Sequence, residues 1–324
     1  MNANFLPPKL QKLFEKTKPV CFGRFVIDVP VETTVVPGPQ AFGSNIETLE
    51  DGAKSIRATV ETKKRELSEK KFRDKVTPYL REATNGPTAD SWTLLWWDGD
   101  AGKKVGMDEF SVFIRSAKHA YTFNSNTAPS EGRTFDTESD EIKFIATHLR
   151  ARAPDEIPSE PGVCLNLGFI ADDSGKYQEI FGIGFRFPSL PDVSLSISSN
   201  KDGQTPQPLS VRRKEAERSV LGSILEGKFR QVKVLRDGPR KLYQWDGEEA
   251  LFRRPREEGG TWQEFRYDYP GIRYDKSNPR WDAAMFTGVD HNTAGGKASS
   301  LTDDEAIALW DAVMTTIRLR VPGR

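Results

Sequence analysis

Two stretches of this chain close in the same way, which constrains the rest of the fold more than any other feature. Thr137-Glu138-Ser139-Asp140 is followed by Ile142, Ile145, Ala146 and Leu149 at helical spacing, and the stretch ends Leu149-Arg150-Ala151-Arg152-Ala153-Pro154. Thr302-Asp303-Asp304-Glu305 is followed by Ala306, Leu309, Trp310, Val313, Met314 and Ile317, and ends Ile317-Arg318-Leu319-Arg320-Val321-Pro322. Each pattern predicts a capping box, an amphipathic helix and an Arg-x-Arg-x-Pro ending. The caps stand 165 residues apart and the endings 168, so the second helix is longer by nearly one turn.

The openings repeat more loosely. Val20-Cys21-Phe22-Gly23 leads into a strand alternating Phe25, Ile27 and Val29 with Arg24 and Asp28, and Val163-Cys164 leads to Gly168-Phe169-Ile170 in the second half. Residues Ala153 to Gly162, with Pro154, Pro158 and Pro161, read as a linker. The chain therefore divides into an extension (1–20), a domain (21–154), a linker (155–163) and a second domain (164–324), which suits a length of 324 residues.

Within the first half, Ile46, Leu49, Ala53, Ile56 and Val60 predict a helix running into the charged stretch Lys63 to Lys71. Strands are expected at Ser91–Trp97, Glu109–Arg115 and Ala120–Ser125. In the second half, Val193, Leu195 and Ile197 mark a strand and Ser210 to Phe229 a helix. Further strands are expected near Gln231–Leu235, Lys241–Trp245, Ala250–Arg253 and Thr261–Tyr269. Strands in series favour antiparallel pairing. The expected class is α+β, two related tandem domains, each a mainly antiparallel sheet with helices on one face.

Composition excludes several functions. Lys and Arg number 47 and so do Asp and Glu, so the electrostatic footprint of a nucleic-acid binder is missing. No window approaches the roughly 18 apolar residues of a membrane-spanning helix. The first residues carry no export signal, which leaves a cytoplasmic protein or one whose signal has been removed. Two cysteines cannot alone build a zinc site; Cys21 and Cys164 read either as a disulfide formed in an oxidising compartment or as two buried thiols.

Catalytic motifs are sparse, and neither Gly-x-Ser-x-Gly nor His-Glu-x-x-His occurs. Gly182-Ile183-Gly184 followed by Phe187 lacks the third glycine of a dinucleotide loop and reads as a strand, while Trp97-Asp98-Gly99-Asp100 reads as a hairpin turn. The strongest catalytic candidate is Asp290-His291-Asn292 with Ser299 and Ser300, the basis of an alternative reading as a hydrolase. His119 is expected at the surface and His148 at a helix C-terminus. No cofactor is implied. Two loops instead carry a hot-spot composition, with tryptophan beside arginine or lysine. One holds Trp96, Trp97, Asp98, Asp100, Lys103 and Lys104; the other holds Arg253, Arg254, Arg256, Glu257, Glu258 and Trp262. The plainer account of each is a core tryptophan beside solvated turns.

The stretch Thr17-Lys18-Pro19-Val20-Cys21-Phe22-Gly23-Arg24-Phe25-Val26-Ile27-Asp28-Val29-Pro30, together with Pro161-Gly162-Val163-Cys164 and Gly168-Phe169-Ile170, resembles the domain openings of the type VI secretion lipase immunity proteins. The resemblance covers nearly the whole chain. It implies a non-catalytic inhibitor that holds a phospholipase effector between two domains and blocks its lid or substrate opening. It also implies periplasmic residence. On that reading, the composition of the two loops above makes them the expected contacts. A Cys21–Cys164 bond would support that compartment. A ligand-binding or envelope scaffold protein is the remaining alternative.

Overall fold

The computed structural model describes residues 6–127, 129–203, 207–218 and 231–321. Up to residue 151 the strands are β1 (Thr17–Phe22), β2 (Phe25–Pro30), β3 (Thr34–Phe42), β4 (Ser44–Leu49), β5 (Leu80–Asn85), β6 (Ser91–Trp97), β7 (Asp108–Ser116), β8 (His119–Asn126) and β9 (Leu149–Ala151). The helices there are α1 (Pro8–Leu13), α2 (Ile56–Glu69), α3 (Gly99–Val105) and α4 (Phe135–His148). Next come β10 (Gly162–Leu165), β11 (Gly168–Ala171), β12 (Glu179–Phe187), β13 (Leu190–Asn200), α5 (Leu209–Arg218), β14 (Lys233–Leu242), β15 (Trp245–Pro255), β16 (Thr261–Tyr269), β17 (Arg280–Phe286), α6 (Asp303–Met314) and β18 (Arg318–Leu319). The strand pairs whose registers are given below are all antiparallel, as the serial pattern predicts.

Contacts divide the chain into two units: Met1–Pro39 with Glu179–Pro322, and Gln40–Gln178. In the first, strands run in the order β14-β15-β16-β17-β13-β12. Strict alternation buries Phe181, Ile183, Phe185 and Phe187 of β12, with Ile183 opposite Ile197 and Phe185 opposite Leu195. Helix α6 lays Leu309, Trp310 and Val313 on this sheet, all fully buried, with the Trp310 ring edge-on to Phe265 at 6.0 Å. Its start is the expected capping box: Thr302 Oγ1 accepts from the Glu305 N–H at 3.2 Å, and the Glu305 carboxylate accepts from the Thr302 N–H at 2.9 Å.

In the second unit the order is β4-β8-β7-β6-β5. Helix α2 buries Ile56 and Val60 against Leu94, Trp96, Phe113 and Ala120. Helix α4 meets β7 through Phe135, edge-on to Phe110 at 5.5 Å, so α2 and α4 touch residues of opposite parity along that strand.

The repeat is visible in two small sheets. In one, β2 lies between β1 and β18, with Cys21 opposite Val26 and Val26 opposite Arg318. In the other, β11 lies between β10 and β9, with Cys164 opposite Phe169 and Phe169 opposite Arg150. Each opening hairpin thus pairs with the closing strand of the other linear half. Cys21 and Cys164 are both buried and disulfide-bonded, and no free thiol exists among the described residues.

Several local expectations need correction. Ile46 and Leu49 belong to β4, and the helix begins only at Ile56; Asp51, at φ 51°, and the tight turn at Gly52 separate strand from helix. Thr137 lies inside α4, which begins two residues earlier, at Phe135, so the first capping box is not the helix start. Residues 99–105 form α3, with Gly106 as its left-handed C-cap, in place of a hairpin turn. The two strands expected near 231–235 and 241–245 are one, β14, followed by a turn into β15. The expected helix from Ser210 is described as far as Arg218, and its remainder lies outside the described residues. Gly182 to Phe187 is strand, as read.

Candidate functional site

The first loop lies in the unit Gln40–Gln178, where β6 runs into α3. Trp96 is 8% exposed and packs in the core, with the Lys63 ammonium 4.4 Å from its ring centroid. Burial lowers the Lys63 pKa. Trp97 is half-buried, with the Arg81 guanidinium 4.2 Å over its ring, and Arg81 in turn pairs with buried Asp108. Asp98 is exposed; burial, then the charge of Asp98, raises the pKa of neighbouring Glu109. Asp100 meets Arg73 at 3.5 Å, Lys103 meets Asp74 at 3.6 Å, and Lys104 points to solvent. The Asp74 carboxyl is held well below the carboxylate range by the Thr77 hydroxyl and the Val76 and Thr77 N–H groups, with Lys103 adding to the effect. The tryptophan pair therefore splits: Trp96 supports the loop from beneath, while Trp97 and the charges form its surface.

The second loop is the β15–β16 hairpin, in the other unit. Arg254 lies opposite Trp262 in register, its guanidinium 5.8 Å from that ring, and binds Glu264 at 2.5 Å. Arg253 reaches Asp303 at the start of α6, 3.3 Å away. Arg256 is turned inward, donating to the Gly259, Gly295 and Gly296 carbonyls at 2.9–3.1 Å and to Glu258 at 2.9 Å. It fastens the hairpin tip to the loop at 290–297. Trp262 closes over Gly295, where an added Cβ would sit 2.5 Å from the indole. Glu257 and Glu258 are both exposed at the tip. A groove of about 560 Å³ beside Arg253 is lined by Lys233, Thr261, Gln263, Thr302 and Asp304.

The residues of the hydrolase alternative have other partners. Ser300 Oγ donates to Asp192 at 2.6 Å and Ser299 Oγ to the Leu301 carbonyl at 3.0 Å. His291 sits in an exposed turn at φ 51°, closed by Asp290 and Thr293. Burial alone would raise Asp192, but hydrogen bonds from Ser300 and the Gly288 N–H outweigh it and hold its carboxyl below the ordinary value. His119, expected at the surface, is 3% exposed and accepts the Asp51 N–H through Nδ1 at 3.2 Å. The ring is thus taken up by the turn that follows β4, through Asp51. His148 ends α4 and stacks on Phe144 at 4.0 Å. No His/Cys/Asp/Glu cluster suited to a metal occurs among the described residues.

Sequence reading missed the roles of the two Arg-x-Arg endings. Arg152 is 6% exposed and donates to the carbonyls of Gly168, Ala153, Glu156 and Leu165 at 2.7–3.3 Å. Arg320 is 8% exposed, and its N–H donates to the Arg24 carbonyl at 2.8 Å, as that of Arg152 does to Leu167 at 2.9 Å. Their shared offset was the available signal.

Two family models match the chain, the Tle cognate immunity protein 4 N-terminal domain over residues 18–137 and the C-terminal domain of the same protein over 156–322. The chain belongs to the Tle cognate immunity protein 4 family. Among solved structures, the apo immunity protein TplEi of the T6SS from Pseudomonas aeruginosa is 25% identical, with a TM-score of 0.78 over 94% of this chain and 97% of that one. A chain in the crystal structure of the Tle4-Tli4 complex is also 25% identical, with a TM-score of 0.79 over the same shares. TplEi complexed with an "L" peptide, at 24% identity and a TM-score of 0.74, shares the fold over 94% of this chain and 98% of that one. No curated protein matches. As in the sequence reading, no helix among the described residues is long and apolar enough to cross a membrane.

Proposed function

We propose that this member of the Tle cognate immunity protein 4 family binds and neutralises a cognate type VI secreted phospholipase, acting as an inhibitor without turnover of its own. The carrying observation is likeness, over 94% of the chain, to a protein of the Tle4-Tli4 complex, together with family matches in both halves. Binding at the effector's lid or substrate opening would stop catalysis without any chemistry in the inhibitor. The exposed parts of the two loops, Trp97, Asp98, Asp100, Lys103 and Lys104 in one and Arg253, Arg254, Glu257, Glu258 and Trp262 in the other, are the proposed contacts, with Trp96 and Arg256 holding them in place. Paired arginines beside a partly open tryptophan suit a binding anchor. Periplasmic action is part of the proposal; bonded cysteines suit an oxidising compartment, and Cys21–Cys164 is the pairing that two cysteines allow.

The test is co-expression with a candidate type VI phospholipase effector from the native genome. A stable complex with loss of phospholipase activity is expected; neither forming would end the proposal. Turnover lost in His291→Ala would favour the hydrolase instead.

A further inference from the structure

The Arg253–Trp262 hairpin occupies one end of the sheet in its unit. At the other end, the registers Leu242 with Trp245, Tyr269 with Trp281 and Asn200 with Arg280 bring three connections together. They are the turn Tyr243-Gln244, the segment after Asn200, and the loop 270–279. Hydrogen bonds lace them into one surface. Gln244 Nε2 donates to the Ser277 carbonyl at 3.0 Å and to Asn278 Oδ1 at 3.1 Å, the Tyr274 N–H to the Lys201 carbonyl at 2.9 Å, and Arg273 Nε to the Asp202 carbonyl at 3.3 Å.

This surface presents Tyr243, Ile272 and Tyr274, which are 51%, 57% and 61% exposed. Both tyrosines have left-handed backbones, at φ 51° and 68°, a region that bulky residues enter at an energetic cost. A two-residue hairpin turn favours Asn or Gly at such a position, yet Tyr243 stands there. The platform is also rigid beneath. Tyr243 lies 5.4 Å from fully buried Trp245, which packs on Trp281 at 5.4 Å and Phe25 at 5.5 Å. Strained aromatics left more than half exposed on a fixed base bury little of their own surface, and they bind with little further loss of side-chain freedom.

The charges nearby are mostly satisfied. Lys241 pairs with Asp246 at 3.5 Å and Lys201 with Asp202 at 3.4 Å, while Asp275 accepts from Ser277 and Asn278 within its own loop. Arg273, stacked on Tyr274 at 4.6 Å, makes no ion pair with a described residue. We propose that Tyr243, Ile272, Arg273 and Tyr274 form a contact surface for the phospholipase effector, seating in an apolar recess of that protein beside a carboxylate that meets Arg273. This rests on the inhibitor reading above and places a contact at the end of the sheet opposite the Arg253–Trp262 hairpin.

The test titrates the intact chain against the candidate phospholipase effector, with Tyr243→Gly, Tyr274→Gly and Arg273→Glu as variants. Glycine relieves the left-handed backbone, so thermal stability should hold or rise in the first two. Each variant is expected to raise Kd at least about tenfold, as for an interface hot spot. Affinities within about twofold of wild type in all three overturn this surface alone. So does sedimentation showing that the variants dissociate a homodimer while effector affinity is unchanged. A wild-type chain that does not bind the lipase overturns the inhibitor reading as well.

Discussion

Arg152 and Arg320 hold equivalent places in the two closing segments. In the first copy the buried guanidinium takes the carbonyls of Ala153 and Glu156 from the Pro-rich segment and those of Leu165 and Gly168 from the following hairpin. Arg150 holds the outer side of that segment, with Glu156 and Glu160 both at 2.7 Å. Truncating Arg152 strands buried carbonyls, so Arg152→Ala should cost about 3 kcal/mol in urea unfolding, against well under 1 kcal/mol for a change at exposed Lys104. Asp192 is a second local anchor, tying Ser300 and Gly288. Its folded pKa lies below the ordinary value, so its stabilisation is complete above the unfolded carboxylate pKa and is lost as pH falls through the folded one. Asp192→Asn should therefore lower the melting temperature at pH 7 and narrow its deficit below about pH 4; a deficit unchanged with pH would refute that charge role. Neither role was legible in the sequence, because each depends on which backbone atoms meet the side chain, and no local pattern encodes that.

Elements were legible where one period dominated. Ser91–Trp97 and Thr261–Tyr269 match the expected bounds, and α6 starts at the expected box. Legibility failed where a short apolar run fitted two periods, as at Ile46 and Leu49, and where a turn residue hid the break, as at Asp51. The two threonines separate a cap from its likeness. Thr302→Ala removes a hydrogen bond that a first-turn N–H requires, and should cost about 1 kcal/mol. Thr137→Ala falls inside a helix, where alanine is the better former, and should cost no cap energy. Equal losses from the two in chemical denaturation would contradict these helix bounds. The two loops proposed as contacts were only half legible: composition singled them out, but the division between Trp96 below and Trp97 above is set by strand parity at the last residues of β6.

At the scale of the molecule, the sequence shows two successive copies, whereas the contacts show each opening hairpin paired with the other copy's closing strand. Nothing local could signal that pairing, since Val26 and Arg318 are nearly the whole chain apart. The cysteines sit in those same hairpins, each opposite the residue that meets a closing arginine. The proposed Cys21–Cys164 bond would close a loop of about 140 residues and, by limiting the unfolded chain, stabilise it by roughly 5 kcal/mol. Replacing either cysteine with serine should therefore lower the urea midpoint about as much as replacing both, because one bond is lost in each case. Dithiothreitol should reproduce the shift in the wild-type chain and leave the double variant unmoved. A double variant as stable as wild type would show the bond to be dispensable. The full shift would tie folding of this protein to an oxidising compartment, since a reduced chain would have the same sequence but a smaller margin against unfolding.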